Sequence, residues 1–170
     1  MKKTEVFETE APEETFELGK KLGRMAQPGT IICLNGDLGT GKTVFTQGFA
    51  AGLDIAEPVS SPTFTIVQVY EEGRLPLYHF DVYRIGDPEE MEEIGYEDYF
   101  YGEGVSLIEW SELIGDLIPE EAMSVLIEKD LSRGFDYRRI TLTAEETEQD
   151  KKMRIRIRNI EQDADKGQRS

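Results

Sequence analysis

Residues 36 to 43 run Gly36-Asp37-Leu38-Gly39-Thr40-Gly41-Lys42-Thr43, a full match to G-x-x-x-x-G-K-[ST]. Few eight-residue runs restrict a fold so tightly. Glycines at these positions let the backbone turn its N–H groups inward on a pair of phosphates, where side chains or ordinary φ angles would obstruct the approach. Lys42 then supplies a point charge to the β- and γ-phosphates, and the Thr43 hydroxyl is placed to ligate Mg²⁺. Such a loop must leave a buried strand and enter a helix whose N-terminal dipole adds to the anion site. Thr30-Ile31-Ile32-Cys33-Leu34-Asn35 reads as that strand. Val44, Phe45, Phe49, Ala50 and Leu53 recur at helical spacing behind the loop, with Gly52 and Pro58 marking the exit.

A chain of 170 residues with 38% hydrophobic content supports one domain with a proper core. The expected boundary is residue 143, with 144–170 a polar and mostly mobile tail. No apolar run approaches the ~18 residues of a membrane span, and Met1-Lys2-Lys3 leads into polar sequence, so the expected location is cytoplasmic. Cys33 is the only cysteine and His79 the only histidine, which leaves oxygen ligands and therefore Mg²⁺ as the expected metal.

Net charge is −16, and all of the excess lies in residues 1–143, where 28 acids face 12 bases. From Ile85 to Glu128 there are fourteen Asp or Glu and no Lys or Arg. Nucleic-acid binding by this chain alone would need basic side chains to neutralise phosphates, so this surface argues against it. It suits a basic protein partner, or simply a solvated face.

Pro12-Glu13-Glu14 opens a first helix, with Thr15, Leu18, Leu22, Met25 and Ala26 on one face. Residues 64–70 and 75–83 read as a β-hairpin around the turn at 71–74. Asp87-Pro88-Glu89-Glu90 has capping-box spacing and predicts a short helix to about Ile94, with a further turn near 97–101. Val105 to Ile108 is a short buried strand ending on Glu109, and 125–129 and 137–143 predict two more. The alternation of residues 153–158 suits an edge strand or a segment that folds on binding. The expected fold is α/β: one P-loop domain with a mostly parallel central sheet, a β-hairpin insertion and strands completing the sheet.

A phosphate loop needs a second acid to complete a Mg²⁺ shell, usually at the end of a neighbouring buried strand. Glu109 is the best placed, unless it is an ordinary charged strand end. In His79-Phe80-Asp81-Val82-Tyr83-Arg84, period-two alternation puts His79, Asp81 and Tyr83 on one face. Asp81 there either orients the attacking water or belongs to a hydrogen-bonded hairpin corner. Ser61 and Thr63, in Ser61-Pro62-Thr63-Phe64, lie where a first switch segment falls, with hydroxyls able to sense a γ-phosphate; otherwise Pro62 merely fixes a turn.

In this order the four motifs, ending with Ile108-Glu109-Trp110, resemble the TsaE family of small bacterial ATPases required for threonylcarbamoyladenosine modification of transfer RNA. The resemblance covers roughly residues 10–143. It implies slow, Mg²⁺-dependent ATP hydrolysis by an accessory subunit that associates with TsaB and TsaD, turnover resetting that complex. Carried over by motif, residues 37–43 and Lys42 in particular contact phosphates, Thr43 and Glu109 bind Mg²⁺, Asp81 supports hydrolysis and Trp110 holds the site. Ser111 replaces a common proline, and Gly134-Phe135 replaces a common Gly-Arg, which leaves Arg133 as the candidate nucleotide contact there. Adenine contacts are expected near residues 9–15, and the tail receives no function. A small-molecule kinase is the alternative enzyme, disfavoured because the span lacking Lys and Arg stands where a basic lid would have to be. A nucleotide-binding module without turnover is the non-enzymatic one.

Overall fold

The computed structural model describes residues 2–37, 39–62, 64–145, 156 and 158–160. The strand ahead of the phosphate loop is β2 (Ile31–Asn35), and its first four residues are buried, as a run apolar on both faces requires. It is the central member of one seven-stranded sheet, with β1 (Lys2–Thr9), β3 (Val67–Tyr70), β4 (Leu77–Asp81), β5 (Val105–Glu109), β6 (Met123–Lys129) and β7 (Arg138–Glu145). The spatial order is β1-β7-β6-β2-β5-β4-β3.

The sheet is mixed, which corrects the expectation of a mostly parallel one. β6, β2, β5 and β4 run parallel, whereas β3 on β4, β7 on β6 and β1 on β7 are antiparallel. Loop length explains two of the three reversals: residues 71–76 and 130–137 are too short for a crossover helix, so β3 with β4 and β6 with β7 pair antiparallel. The hairpin is likewise no insertion. Its second strand, β4, pairs with β5 and so belongs to the parallel core.

Several elements differ from their sequence-derived bounds. β3 starts at Val67 because Ile66 adopts φ 66°, which ends extended pairing upstream. The turn expected at 97–101 is a helix, α4 (Tyr96–Phe100), following α3 (Glu90–Glu93). Asp87 caps the turn before α3 by accepting the Glu89 N–H at 3.0 Å. β1 has no sequence counterpart above: as an edge strand exposed on much of its length, it shows only Val6 and Phe7 as an apolar signal. β7 continues past residue 143 to Glu145, and Ala144 is buried. Arg156 and Arg158–Ile160 are helical, unlike an edge strand, and Arg158 pairs with Glu5 at 3.3 Å. The rest of the tail lies outside the described residues.

Helices α1 (Pro12–Met25) and α2 (Lys42–Gly52) pack together on one face of the sheet over Phe45, Phe49, Leu18 and Leu22. Their crossing is close. A Cβ on Gly48 would stand 2.0 Å from the Phe16 carbonyl oxygen, and one on Gly19 would stand 2.4 Å from that of Phe45. Backbone therefore meets backbone, which fixes the axis of α2 and with it the position of its N-terminus. The other face is covered by α3, α4 and Ile114, packed on Phe80, Val82 and Ile108. Among the described residues no helix is long and apolar enough to cross a membrane.

Candidate nucleotide site

The carboxyl end of β2 releases the chain into the loop, and the loop closes directly on the first turn of α2. Gly39 (φ 80°) and Gly41 (φ 105°) take left-handed conformations that a side chain would strain. The Asp37 carbonyl accepts both the Thr40 N–H, at 3.3 Å, and the Thr40 hydroxyl, at 2.9 Å, which ties the turn. Lys42 and Thr43 are then the first two residues of α2, at its positive end. Leu38, assigned to the loop by sequence, lies outside the described residues.

One loop-holding residue was not anticipated. Arg138, at the start of β7, donates from Nε to the Thr40 carbonyl at 2.7 Å and from Nη1 to the Phe135 and Tyr137 carbonyls at 2.9 and 2.7 Å. One guanidinium thus joins the phosphate loop to the β6–β7 connection. Its planar fork suits several carbonyls at once, which a lysine could not match. No local sequence signal marks it, since the contact spans 98 positions.

The acids arrive from the neighbouring strands. β4 and β5 pair in parallel with Asp81 opposite Glu109, so the two carboxylates leave the sheet at the same end. Ser61 links them, donating to Asp81 Oδ2 at 3.0 Å with Glu109 Oε2 at 3.4 Å. His79 Nε2 lies 2.9 Å from Glu109 Oε2; a carboxylate only accepts, so the proton of this bond is on the ring. Both side chains are buried, and this bond orients the Glu109 carboxylate. Asp81 is held from the other side, its Oδ1 accepting the Tyr83 N–H at 3.1 Å. His79 thus bonds Glu109 directly and Asp81 is joined to it through Ser61, while Tyr83, expected on one face with them, lies past the end of β4.

Trp110 adopts φ 64°, ψ 33°, a left-handed conformation that costs a non-glycine residue on the order of 1 kcal/mol. The turn places its ring 4.9 Å from the Tyr83 ring centroid and beneath Lys42, whose Nζ is 4.9 Å from the indole centroid. Lys42, Thr43, Ser61, Asp81, Glu109 and Trp110 all line one cavity of about 750 Å³. Arg133 does not join them: it pairs with Glu8 at 2.8 Å and lies over the Tyr137 ring at 4.7 Å. Thr63 lies outside the described residues. Lys129, unmentioned by any motif, brings its ammonium to 3.5 Å from where a Gly39 Cβ would be.

Among the described residues no group of three or more His, Cys, Asp or Glu is arranged to hold a metal alone. A buried Glu109 beside a hydroxyl-bearing helix start fits the other regime, in which Mg²⁺ takes one or two protein groups and completes its shell from phosphate and water.

The TsaE model, described as threonylcarbamoyl adenosine biosynthesis protein TsaE, matches residues 9–140. The chain is 49% identical over 138 residues to the tRNA threonylcarbamoyladenosine biosynthesis protein TsaE of Bacillus subtilis, covering 81% of this chain and 84% of that protein. It is 42% identical over 113 residues to the protein of the same name from Treponema pallidum, covering 66% of this chain and 83% of that one. The crystal structure of Bacillus subtilis YdiB superposes with a TM-score of 0.70 at 42% identity, over 85% of this chain and 87% of that chain.

Proposed function

The chain belongs to the TsaE family of threonylcarbamoyl adenosine biosynthesis proteins, and on that premise we propose that it is a Mg²⁺-dependent ATPase serving tRNA threonylcarbamoyladenosine formation as an accessory subunit. The observation that carries this reading is the meeting of Lys42, Thr43, Asp81 and Glu109 on one cavity, from three separate stretches of sequence. A module that only bound nucleotide would need the loop and lysine but not a paired acid beside them.

The chemistry follows from what each group can donate or accept. The triphosphate lies along the loop, and Lys42 leaves the indole face to donate to the β- and γ-phosphates, a charge-assisted bond that replaces its cation–π contact with the half-buried Trp110. Thr43 and Glu109 would hold Mg²⁺, which when bound would supply charge neutralisation on the phosphate oxygens. Asp81 accepts from the attacking water and aligns it, its carboxylate kept in place by Ser61 and the Tyr83 N–H. His79 keeps Glu109 aimed at the cavity.

Because the reading makes this chain an accessory subunit, its turnover alone is slow, and its partners are subunits of the TsaB and TsaD type. Phosphate release measured with and without those subunits tests it. Release that the partners accelerate supports the proposal. ATP binding with no release in either condition reduces the protein to a binding module.

A further inference from the structure

Arg84 closes the motif that begins at His79, yet the site as described gives it no task. Its guanidinium rests over the ring of Phe64, 4.8 Å from the centroid, and both side chains are exposed, Phe64 at 83%. Among the described residues no carboxylate pairs with it. It nevertheless lines the same cavity as Lys42, Asp81 and Glu109. Two acids there face Lys42 and Arg84 as the lining cations, and the 44 residues after Arg84 contain no Lys or Arg. An exposed cation resting on an exposed ring is weakly held and easily exchanged for a better acceptor.

We propose that Arg84 is a catalytic residue acting in cis, which leaves Phe64 and donates to the γ-phosphoryl oxygens as ATP is cleaved. The proposal rests on the hydrolytic reading above. In the step, the water oxygen bonds to the γ-phosphorus while the bond to the β–γ bridging oxygen breaks, its electron pair leaving with ADP. The water proton passes to Asp81 and then to solvent or product phosphate. Arg84 transfers no proton; its planar fork spans two equatorial oxygens on which charge is spread in the transition state. Phe64 belongs to the segment that begins at Ser61, and Ser61 bonds Asp81. The resting platform and the hydrolytic acid are thus joined by three residues of chain.

Single-turnover phosphate release from Mg²⁺–ATP on the full chain, with Arg84→Ala and Arg84→Lys beside the parent, tests this. The Ala variant should turn over about 10³-fold more slowly while its ATP dissociation constant stays within about threefold. The Lys variant should recover only part of the rate. ADP with aluminium fluoride, which imitates the planar phosphoryl group, should be retained by the parent and lost by Arg84→Ala at an unchanged thermal midpoint. Turnover of Arg84→Ala within about threefold of the parent would overturn the assignment. So would equal losses in ATP affinity and rate, which describe a ground-state contact. A parent that binds ATP yet, with or without the TsaB- and TsaD-type subunits, neither releases phosphate nor retains the aluminium fluoride complex would remove the hydrolytic reading itself, a result separable from an active Arg84→Ala.

Discussion

Asp81 and Glu109 are register partners on adjacent strands, yet their surroundings differ. Glu109 is buried against His79, whereas Asp81 is half-buried and tied to Ser61 and a backbone N–H. Replacing Asp81 by Asn keeps shape and polarity but removes the charge to which the proposed function gives the alignment of water. Hydrolysis should fall by at least tenfold, about 1.4 kcal/mol, with ATP affinity nearly constant; equal losses would assign Asp81 to binding instead. Glu109→Ala and Thr43→Ala should instead make nucleotide affinity less sensitive to Mg²⁺, measured by titrating ATP at a series of metal concentrations. Arg138 acts one step further away. Arg138→Ala frees the Thr40 carbonyl and should weaken ATP binding roughly tenfold, since a hydrogen bond to a charged group contributes about 1.5–3 kcal/mol. Arg138→Lys should recover little of it, and full recovery would show that charge alone suffices.

At the scale of elements, α2 is positioned by glycine. Gly48→Ala would drive a methyl group onto the Phe16 carbonyl, so the helices must part or tilt. Overpacking of this kind costs about 1–3 kcal/mol, which for a domain of this size lowers the melting midpoint by several degrees. Calorimetric melting checks it, and an unchanged midpoint would mean the crossing is looser than its geometry. What the sequence disclosed follows the same physics. β2, the loop and α2 were legible because a buried apolar strand, a glycine pattern and helical periodicity each leave a local mark. Glu109 was legible as an acid ending a run of buried residues. β1 was not, because an edge strand needs few apolar residues, and the parallel bias was overestimated because strand direction depends on loop lengths rather than strand composition. Arg138 and the placement of Arg133 beside Glu8 depend on contacts between distant stretches, which no local pattern encodes.

Across the whole molecule, charge is separated by use. Of the fourteen acids between Ile85 and Glu128, all but Glu109 are exposed, so the one buried carboxylate lines the cavity and the others set the surface field. Such a field steers a basic partner at long range and is screened over about 8 Å at physiological salt. Glu92 and Glu93 lie exposed on α3, away from the cavity lining, so reversing both to Lys should slow association with the proposed TsaB- and TsaD-type subunits and flatten its salt dependence while leaving ATP affinity alone. Stopped-flow association at several salt concentrations measures this; a rate indifferent to salt and to the reversal would leave the acids a role in solubility only.

The proposed function requires that the cavity between α2, β4 and β5 be an ATP site. Calorimetric titration of Mg²⁺–ATP into the parent and into Lys42→Ala tests that most directly, with the thermal midpoint of both proteins as the control for folding. The parent should bind saturably at one site, and the variant should bind at least about tenfold more weakly, since it loses a charge-assisted phosphate contact. Equal affinity in two equally stable proteins would show that Lys42 does not contact the nucleotide and that this cavity is not the ATP site.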